Sequence, residues 1–241
     1  MYKVESKEEL KELILSADVE ADLNHLDVSE ITDMSRLFAD TNFNGDISQW
    51  NVFGVTTMNS MFECSSFNGD VSKWDVGSVK NMSRMFAGSH FNGDISCWNV
   101  RRVEDMECMF YSSSFDGDIS RWNVGSVETM LFMFYKSNFN QDISLWDVSH
   151  VTNMCAMFRV SRFNGDISEW NVSNVTIMRG MFDGCVFNGD ISKWNVSKIE
   201  DVSGMFKNSC FNGDLSDWDV SNVKDNRYMF ENSRYTGVSI F

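Results

Sequence analysis

The phrase Phe43-Asn44-Gly45-Asp46-Ile47-Ser48-Gln49-Trp50-Asn51-Val52 returns, with variations, every 24 residues to the end of the chain, and this fixed period constrains the fold more than any other feature. All eight tryptophans, Trp50, Trp74, Trp98, Trp122, Trp146, Trp170, Trp194 and Trp218, fall on one register. Self-similarity of this length marks a quasi-one-dimensional architecture, because a unit this short cannot bury its apolar face alone and must stack on its neighbours. The pattern opens before the first tryptophan. Asp22-Leu23-Asn24-His25-Leu26-Asp27-Val28 aligns with Asp46 to Val52, with Leu26 in the tryptophan's place, and from Leu26 to Phe241 the period fits nine times. We expect one elongated body over residues 22–241 with no linker inside it, preceded by a cap over residues 1–21.

Within the unit the fixed positions sort by chemistry. Ile47, Trp50, Val52, Val55, Met58, Met61, Phe62 and Phe67 mark the apolar register, and nearly every later unit keeps it. Ile47-x-x-Trp50-x-Val52 has the leucine-rich-repeat spacing L-x-x-L-x-L. It predicts a short parallel strand through Trp50 to Val52 in each coil. The steps of three from Val55 to Met61 suit a loose turn or short helical segment on the far side. The return through Asn68-Gly69-Asp70 predicts a tight turn with positive φ at the glycine, Gln141 being the one departure among the full motifs. Before the repeat, Ser6-Lys7-Glu8-Glu9 has the form of a capping box, and Leu10, Leu13 and Ile14 follow at helical spacing. A short amphipathic helix over 6–16 is expected to cover the apolar end of the first unit. The fold class is thus an α/β repeat solenoid, a right-handed leucine-rich-repeat-like stack of nine 24-residue coils with an N-terminal capping helix.

Composition narrows the chemistry. Twenty phenylalanines, 16 methionines and no proline supply a continuous core, and the methionine pairs read as core filler. No run approaches the roughly 18 apolar residues of a membrane span, and Met1-Tyr2-Lys3-Val4-Glu5 does not lead into a signal peptide's apolar core, so the chain as written reads as cytoplasmic. Cys64, Cys97, Cys108, Cys155, Cys185 and Cys210 sit at six different offsets from the tryptophan register, which points to free thiols rather than disulfides or zinc. His25, His90 and His150 are isolated, and no nucleophile elbow or phosphate-binding glycine loop is present. The reading is no enzyme, no catalytic residue, no metal site and no cofactor. A net charge of −15 argues against nucleic acid as a partner, since duplex DNA is held through cations facing its phosphates.

The aspartate four residues before the tryptophan position recurs as Asp22, Asp46, Asp70, Asp94, Asp118, Asp142, Asp166, Asp190 and Asp214. Stacked at the inter-strand spacing of about 4.8 Å, such a row repels itself unless each carboxylate accepts backbone N–H bonds or shares cations. One carboxylate per unit falls short of the six or more oxygens that calcium takes, which favours the backbone bonds.

The phrase F-N-G-D-I-S-x-W-N-V-S-N-V-x-x-M-x-x-M-F, nearly whole in Phe163 to Phe182, resembles the mycoplasma-type repeat of the BspA-like leucine-rich-repeat surface proteins, over residues 22–241. The resemblance implies a non-enzymatic, often surface-exposed protein associated with adhesion or of unknown role. In a leucine-rich repeat the outward residues beside the strand form the concave binding surface. Here they gather Lys73, Arg101, Arg102 and Arg121 on adjacent coils, with Phe53 and Leu145 at the margins. The expected partner is a protein or an anionic surface ligand, with no membrane insertion. The last unit breaks pattern at Asn226, Tyr235 and Val238, leaving either a weak end-to-end self-association or a blunted edge. An acidic inhibitor or mimic inside a cell and a structural component of a particle or surface assembly are the other readings.

Overall fold

The computed structural model describes residues 1–241. Regular secondary structure is confined to the start of the chain: β1 (Tyr2–Lys3), α1 (Lys7–Ser16) and β2 (Leu26–Asp27). Everything after β2 is turn and extended backbone, yet it is ordered by parallel pairing at the repeat distance. Single-residue bridges run Asp33 to Thr57, Thr57 to Asn81 and onward without interruption to Asp225, and Asp22 bridges Asp46. The protein is therefore a stack of repeat units, each bonded to the next.

The N-terminal helix follows its expected boundaries. Ser6 takes an extended N-cap conformation and its Oγ accepts the Glu9 amide at 3.1 Å. The Glu9 carboxylate accepts the Glu5 amide at 2.8 Å, one residue upstream of the reciprocal capping-box partner. Leu10 and Ile14 are buried and join the core, and Lys7 donates to Asp33 Oδ2 at 3.0 Å, tying α1 to the first unit.

The strand predicted through Trp50 to Val52 does not form. That register is a strand only at Leu26–Asp27, where β1 lies alongside in parallel and supplies the partner. In later coils the inter-coil ladder moves downstream, to the segment that begins at Met58. There the even-numbered amides cross to the next coil, as Met58 to Asn81 O, Ser60 to Ser83 O, Phe62 to Met85 O and Cys64 to Ala87 O. The odd-numbered amides turn back three residues within the coil, as Met61 to Met58 O and Glu63 to Ser60 O. Splitting the donors this way satisfies the backbone without a two-sided strand, as buried amides and carbonyls require. The predicted loose turn thus carries the pairing assigned to the strand.

The same alternation corrects the place of positive φ. Left-handed residues occur twice per coil, at Ser60 and Cys64 and their counterparts, in most coils without glycine. The left-handed conformation costs an L-residue about 1–2 kcal/mol, offset here by the inter-coil bonds that it aims. The glycines of the Asn-Gly phrase are needed for close approach instead. A Cβ at Gly45 would fall 2.0 Å from the Ala21 carbonyl, and one at Gly69 would fall 2.9 Å from the Phe67 ring.

The core is one cluster running the length of the stack, and the predicted apolar register fills it. Phe62 stacks on Phe86 at 5.5 Å between centroids, and the column continues to Phe230. A second column runs from Phe67 through Phe91 to Tyr235 at comparable spacing. The methionines between them are fully buried. Each tryptophan is 3–6% exposed, and its indole N–H donates to a carbonyl three residues before the tryptophan position of the preceding coil, as Trp122 to Ile95 O at 3.0 Å. Trp122→Ala should therefore cost about 3–5 kcal/mol, and Trp122→Phe, which keeps apolar bulk and removes the indole bond from an Ile95 carbonyl still held by the Trp98 amide, about 0.5–1.5 kcal/mol. Urea unfolding read by circular dichroism measures both, and a loss below about 1 kcal/mol for the alanine variant would contradict the core role.

Candidate functional site

Most polar repeats serve the scaffold. All nine aspartates of the register accept the backbone amide two residues on, from Asp22 with Asn24 to Asp214 with Ser216, at 2.9 Å. Of the two alternatives open to the row, the structure realises the backbone bonds. Eight of these carboxyls, Asp46 to Asp214, are held below their ordinary range, first by that amide. Repulsion from register mates, such as Asp70 and Asp118 on Asp94, raises them by less. A second Asx row repeats the device after the tryptophan, as Asp75 with the Gly77 amide at 3.0 Å and Asp147 with the Ser149 amide at 3.0 Å.

A third row was not legible as such in the sequence. The asparagine of the Phe-Asn-Gly phrase accepts the amide of its own counterpart one coil on: Asn68 N–H donates to Asn44 Oδ1, Asn92 to Asn68 and Asp116 to Asn92, each at 2.8 Å. Read alone, Asn-Gly signals a turn. The regularity of the period was the only clue that the side chain reaches across.

The predicted contact residues are all exposed, Phe53 at 64% and Leu145 at 84%. Lys73, Cys97, Arg121 and Leu145 occupy one register of successive coils, so Lys73 and Arg121 stand about 10 Å apart if each step takes the usual inter-strand spacing. Arg101 rides the second Asx row, its amide 3.4 Å from Asn99 Oδ1, with Gly77 and Gly125 as its counterparts in the neighbouring coils. Small neighbours leave its guanidinium free to project. Phe53 holds that same position two coils earlier. None of Lys73, Arg101, Arg102 and Arg121 enters an ion pair, although half of the chain's 20 cations do. The acid row lies close: after their amide partners, Lys73 helps to hold Asp70 low and Arg121 helps to hold Asp118 low.

The thiols are all free. Burial pushes Cys108 up to about 11 and also raises Cys155 and Cys185, away from the thiolate that reacts. No three His, Cys, Asp or Glu side chains gather in a metal-holding group, and no helix is long and apolar enough to cross a membrane. A groove elsewhere on the stack, between Phe132 and Tyr228, was not anticipated from the sequence.

With this geometry in place, the comparison with known families is informative. A family model described as Mycoplasma protein of unknown function, DUF285, matches residues 8–114, 88–159 and 136–239. The chain belongs to that family. The matches overlap and take in α1 as well as the stacked units. No curated protein and no solved structure matches the chain. For this DUF285 protein the family therefore supplies the repeat and leaves the ligand to be argued from its surface.

The Asx rows predict an acid response. A carboxyl depressed on folding contributes stability that is present above its unfolded value, near 3.9, and is lost as pH falls through the lower folded value. The melting temperature should hold from neutrality to about pH 5 and then fall steeply below about pH 4. Asp94→Asn/Asp118→Asn/Asp142→Asn, which keeps an Oδ1 acceptor without the titration, should flatten that fall. An unchanged slope in thermal melts between pH 5 and 2 would assign the acid response elsewhere.

Proposed function

We propose that the protein is a non-catalytic binding module: a right-handed solenoid of the leucine-rich-repeat kind, related to the BspA-like surface proteins, that engages a protein or an anionic surface. The observation that supports this reading is the set of unpaired cations Lys73, Arg101, Arg102 and Arg121 on a body of net charge −15, raised above small neighbours on positions the scaffold does not use. Where most polar side chains repeat because the backbone needs them, residues that depart from the repeat at exposed positions are free to serve recognition. Four cations close together on an acidic protein raise the local concentration of an acidic partner, and arginines meet carboxylate or sulfate oxygens through two parallel bonds. Phe53 and Leu145, both solvated, offer apolar margins to such a contact. Adhesion to a cell surface is the role this reading favours.

The experiment is simultaneous replacement, Lys73→Ser/Arg101→Ser/Arg102→Ser/Arg121→Ser. Melting should stay nearly unchanged, because exposed charges contribute little stability. Salt-sensitive capture of the protein by a surface bearing acidic protein or sulfated glycan should fall to background. Capture at full strength by the variant would refute the contact site.

The C-terminal edge carries a second contact. The amides of Asn226, Tyr228, Phe230 and Asn232 have no backbone acceptor, although their counterparts in the preceding coils donate across, and Val238 is exposed. The matching end of the stack lies under α1, so a second copy extends the ladder only by displacing that helix. Self-association through this edge is consequently weak. Light scattering should show mass rising only at high concentration, and Val238→Lys/Ile240→Lys should abolish the rise. A constant monomer mass in both proteins would remove the proposal.

A further inference from the structure

The first coil holds a row of backbone acceptors that the chain does not serve. In the second coil the carbonyls of Thr57, Asn59, Met61 and Glu63 accept the amides of Met34, Arg36, Phe38 and Asp40 from the coil before. Their counterparts in the first coil, the carbonyls of Asp33, Ser35, Leu37 and Ala39, face the end of the stack and accept no amide. Residues 1–21 fill the place of a preceding coil there. Tyr2 pairs with Leu26 one period on, and α1 lies over the acceptor row, with Lys7 reaching Asp33 and the Ser35 hydroxyl, and Ile14 and Leu15 beside Asp40 and Phe43. A helix spends its amides on its own carbonyls, so α1 covers the row without satisfying it. Leu37 is 0% exposed, which leaves no room for water at a carbonyl that has no donor, an orphan of the kind that folded proteins rarely keep.

The last coil holds the complement. The unserved amides of Asn226, Tyr228, Phe230 and Asn232 occupy the same places in the repeat as Met34, Arg36, Phe38 and Asp40, whose amides serve the second coil. Four donors at one end thus match four acceptors at the other, in the register that every internal joint of the stack already uses. The core matches as well. The phenylalanine columns stop at Phe230 and Tyr235, both half-buried, and their counterparts Phe38 and Phe43 are buried at the covered end. Seven of the eleven exposed large apolar residues lie within residues 1–19 or 228–241, so the ends rather than the sides carry the apolar surface that a second copy would bury.

We propose that the cap, residues 1–21, is a displaceable plug, and that lifting it lets the last coil of one copy dock on the first coil of the next and continue the 24-residue stack across molecules. The proposal rests on the weak self-association assigned above to the C-terminal edge and adds what regulates it. The joint repeats the stack's own step and leaves one free edge at each end of the pair, so it grows an open filament. Two C-terminal edges cannot pair face to face, because both offer donors. Two buried side chains of α1, Leu10 and Ile14, and one polar tie from Lys7 at 3.0 Å hold the helix down. At ten residues α1 is too short to be a stable helix in water alone, so it unwinds once lifted. While the plug sits, affinity between copies is scaled down by the small fraction of molecules that are open.

The test loosens the plug in the full chain with Leu10→Ser/Ile14→Ser and follows mass against concentration by light scattering, with electron microscopy of the products. The loosened protein should associate at a concentration about tenfold or more below that of the unaltered chain, as rods of one molecule's width. Lys7→Ala, which cuts only the polar tie, should shift association the same way by less, and it carries the test should the double variant not fold. Adding Asn226→Pro to the loosened protein removes one edge donor and sets a ring where the next coil must approach, which should restore the monomer. Association that survives Asn226→Pro would assign the contact to bared apolar surface and overturn the proposal. A loosened protein that associates no more readily than the unaltered chain, where that chain does associate, would overturn the plug and leave the C-terminal contact standing. Monomers throughout would remove both.

Discussion

Backbone satisfaction between coils is the constraint on which the structure depends. Beyond Asp27 the chain contains no strand or helix in which a segment pairs with itself or a broad neighbour. Each unit instead hands amides and carbonyls to the units on either side, and the rest turn back three residues within the coil or meet a side chain two residues away. The indole N–H extends the same logic into the core, where Trp122 reaches the Ile95 carbonyl of the preceding coil. An isolated unit would leave most of these groups unpaired, so the repeat is stable only as a stack. Two rows of phenylalanine and one of tryptophan then bury enough apolar surface to offset the ordering of a turn-rich backbone.

This economy explains why the polar residues recur as strictly as the apolar ones. A carboxylate row on a chain of net charge −15 looks costly, and neighbouring aspartates do raise one another's pKa. The amide bond in each turn outweighs that repulsion, since the carboxyls end below their ordinary range. The acidic character of the protein is thus partly a by-product of turn chemistry. Surface charge becomes informative about partners only where it departs from the repeat, which is why the scattered cations carry more weight than the many aspartates.

How much was legible follows from the kind of information a period contains. The tryptophan register, the buried methionines and the Ser6-capped helix could be read directly, because burial and capping follow from side-chain type and spacing. The pairing segment could not. Trp50-x-Val52 has strand spacing, yet the unit bonds its neighbour through Met58 to Cys64, whose left-handed residues include Ser60, Cys64, Phe132 and Val160. Conformations imposed by inter-coil bonds leave no residue signature when the bonds outweigh local preference. Gly45 and Gly69 misled for the converse reason, being required by the Ala21 carbonyl of the preceding unit and by the Phe67 ring two residues upstream rather than by their own φ. For the contact site, residue type and exposure were readable at Lys73 and Arg101, and the absence of ion pairs needed the structure.

The groove shows what a strict repeat hides. At its floor the sequence reads Ala156, Gly180 and Gly204, which taken one at a time are ordinary variation at a position that elsewhere holds Arg36, Ser60, Arg84, Cys108, Phe132 and Tyr228. Only stacking puts the three small residues side by side and turns their shared deficit of volume into a cavity with aromatic ends. In a stack of identical units, every column fills or empties by substitutions 24 residues apart, so a concavity needs coordinated changes in consecutive coils. Drift at a single coil makes a pit of one residue. Three coils in succession, flanked by Arg179 and bounded by Phe132 and Tyr228, make a channel along the axis, and the scaffold beneath it is unaltered because Met178, Met181 and Phe182 remain fully buried. Recognition can therefore be written on the left-handed positions of this fold without disturbing the bonds that hold it together.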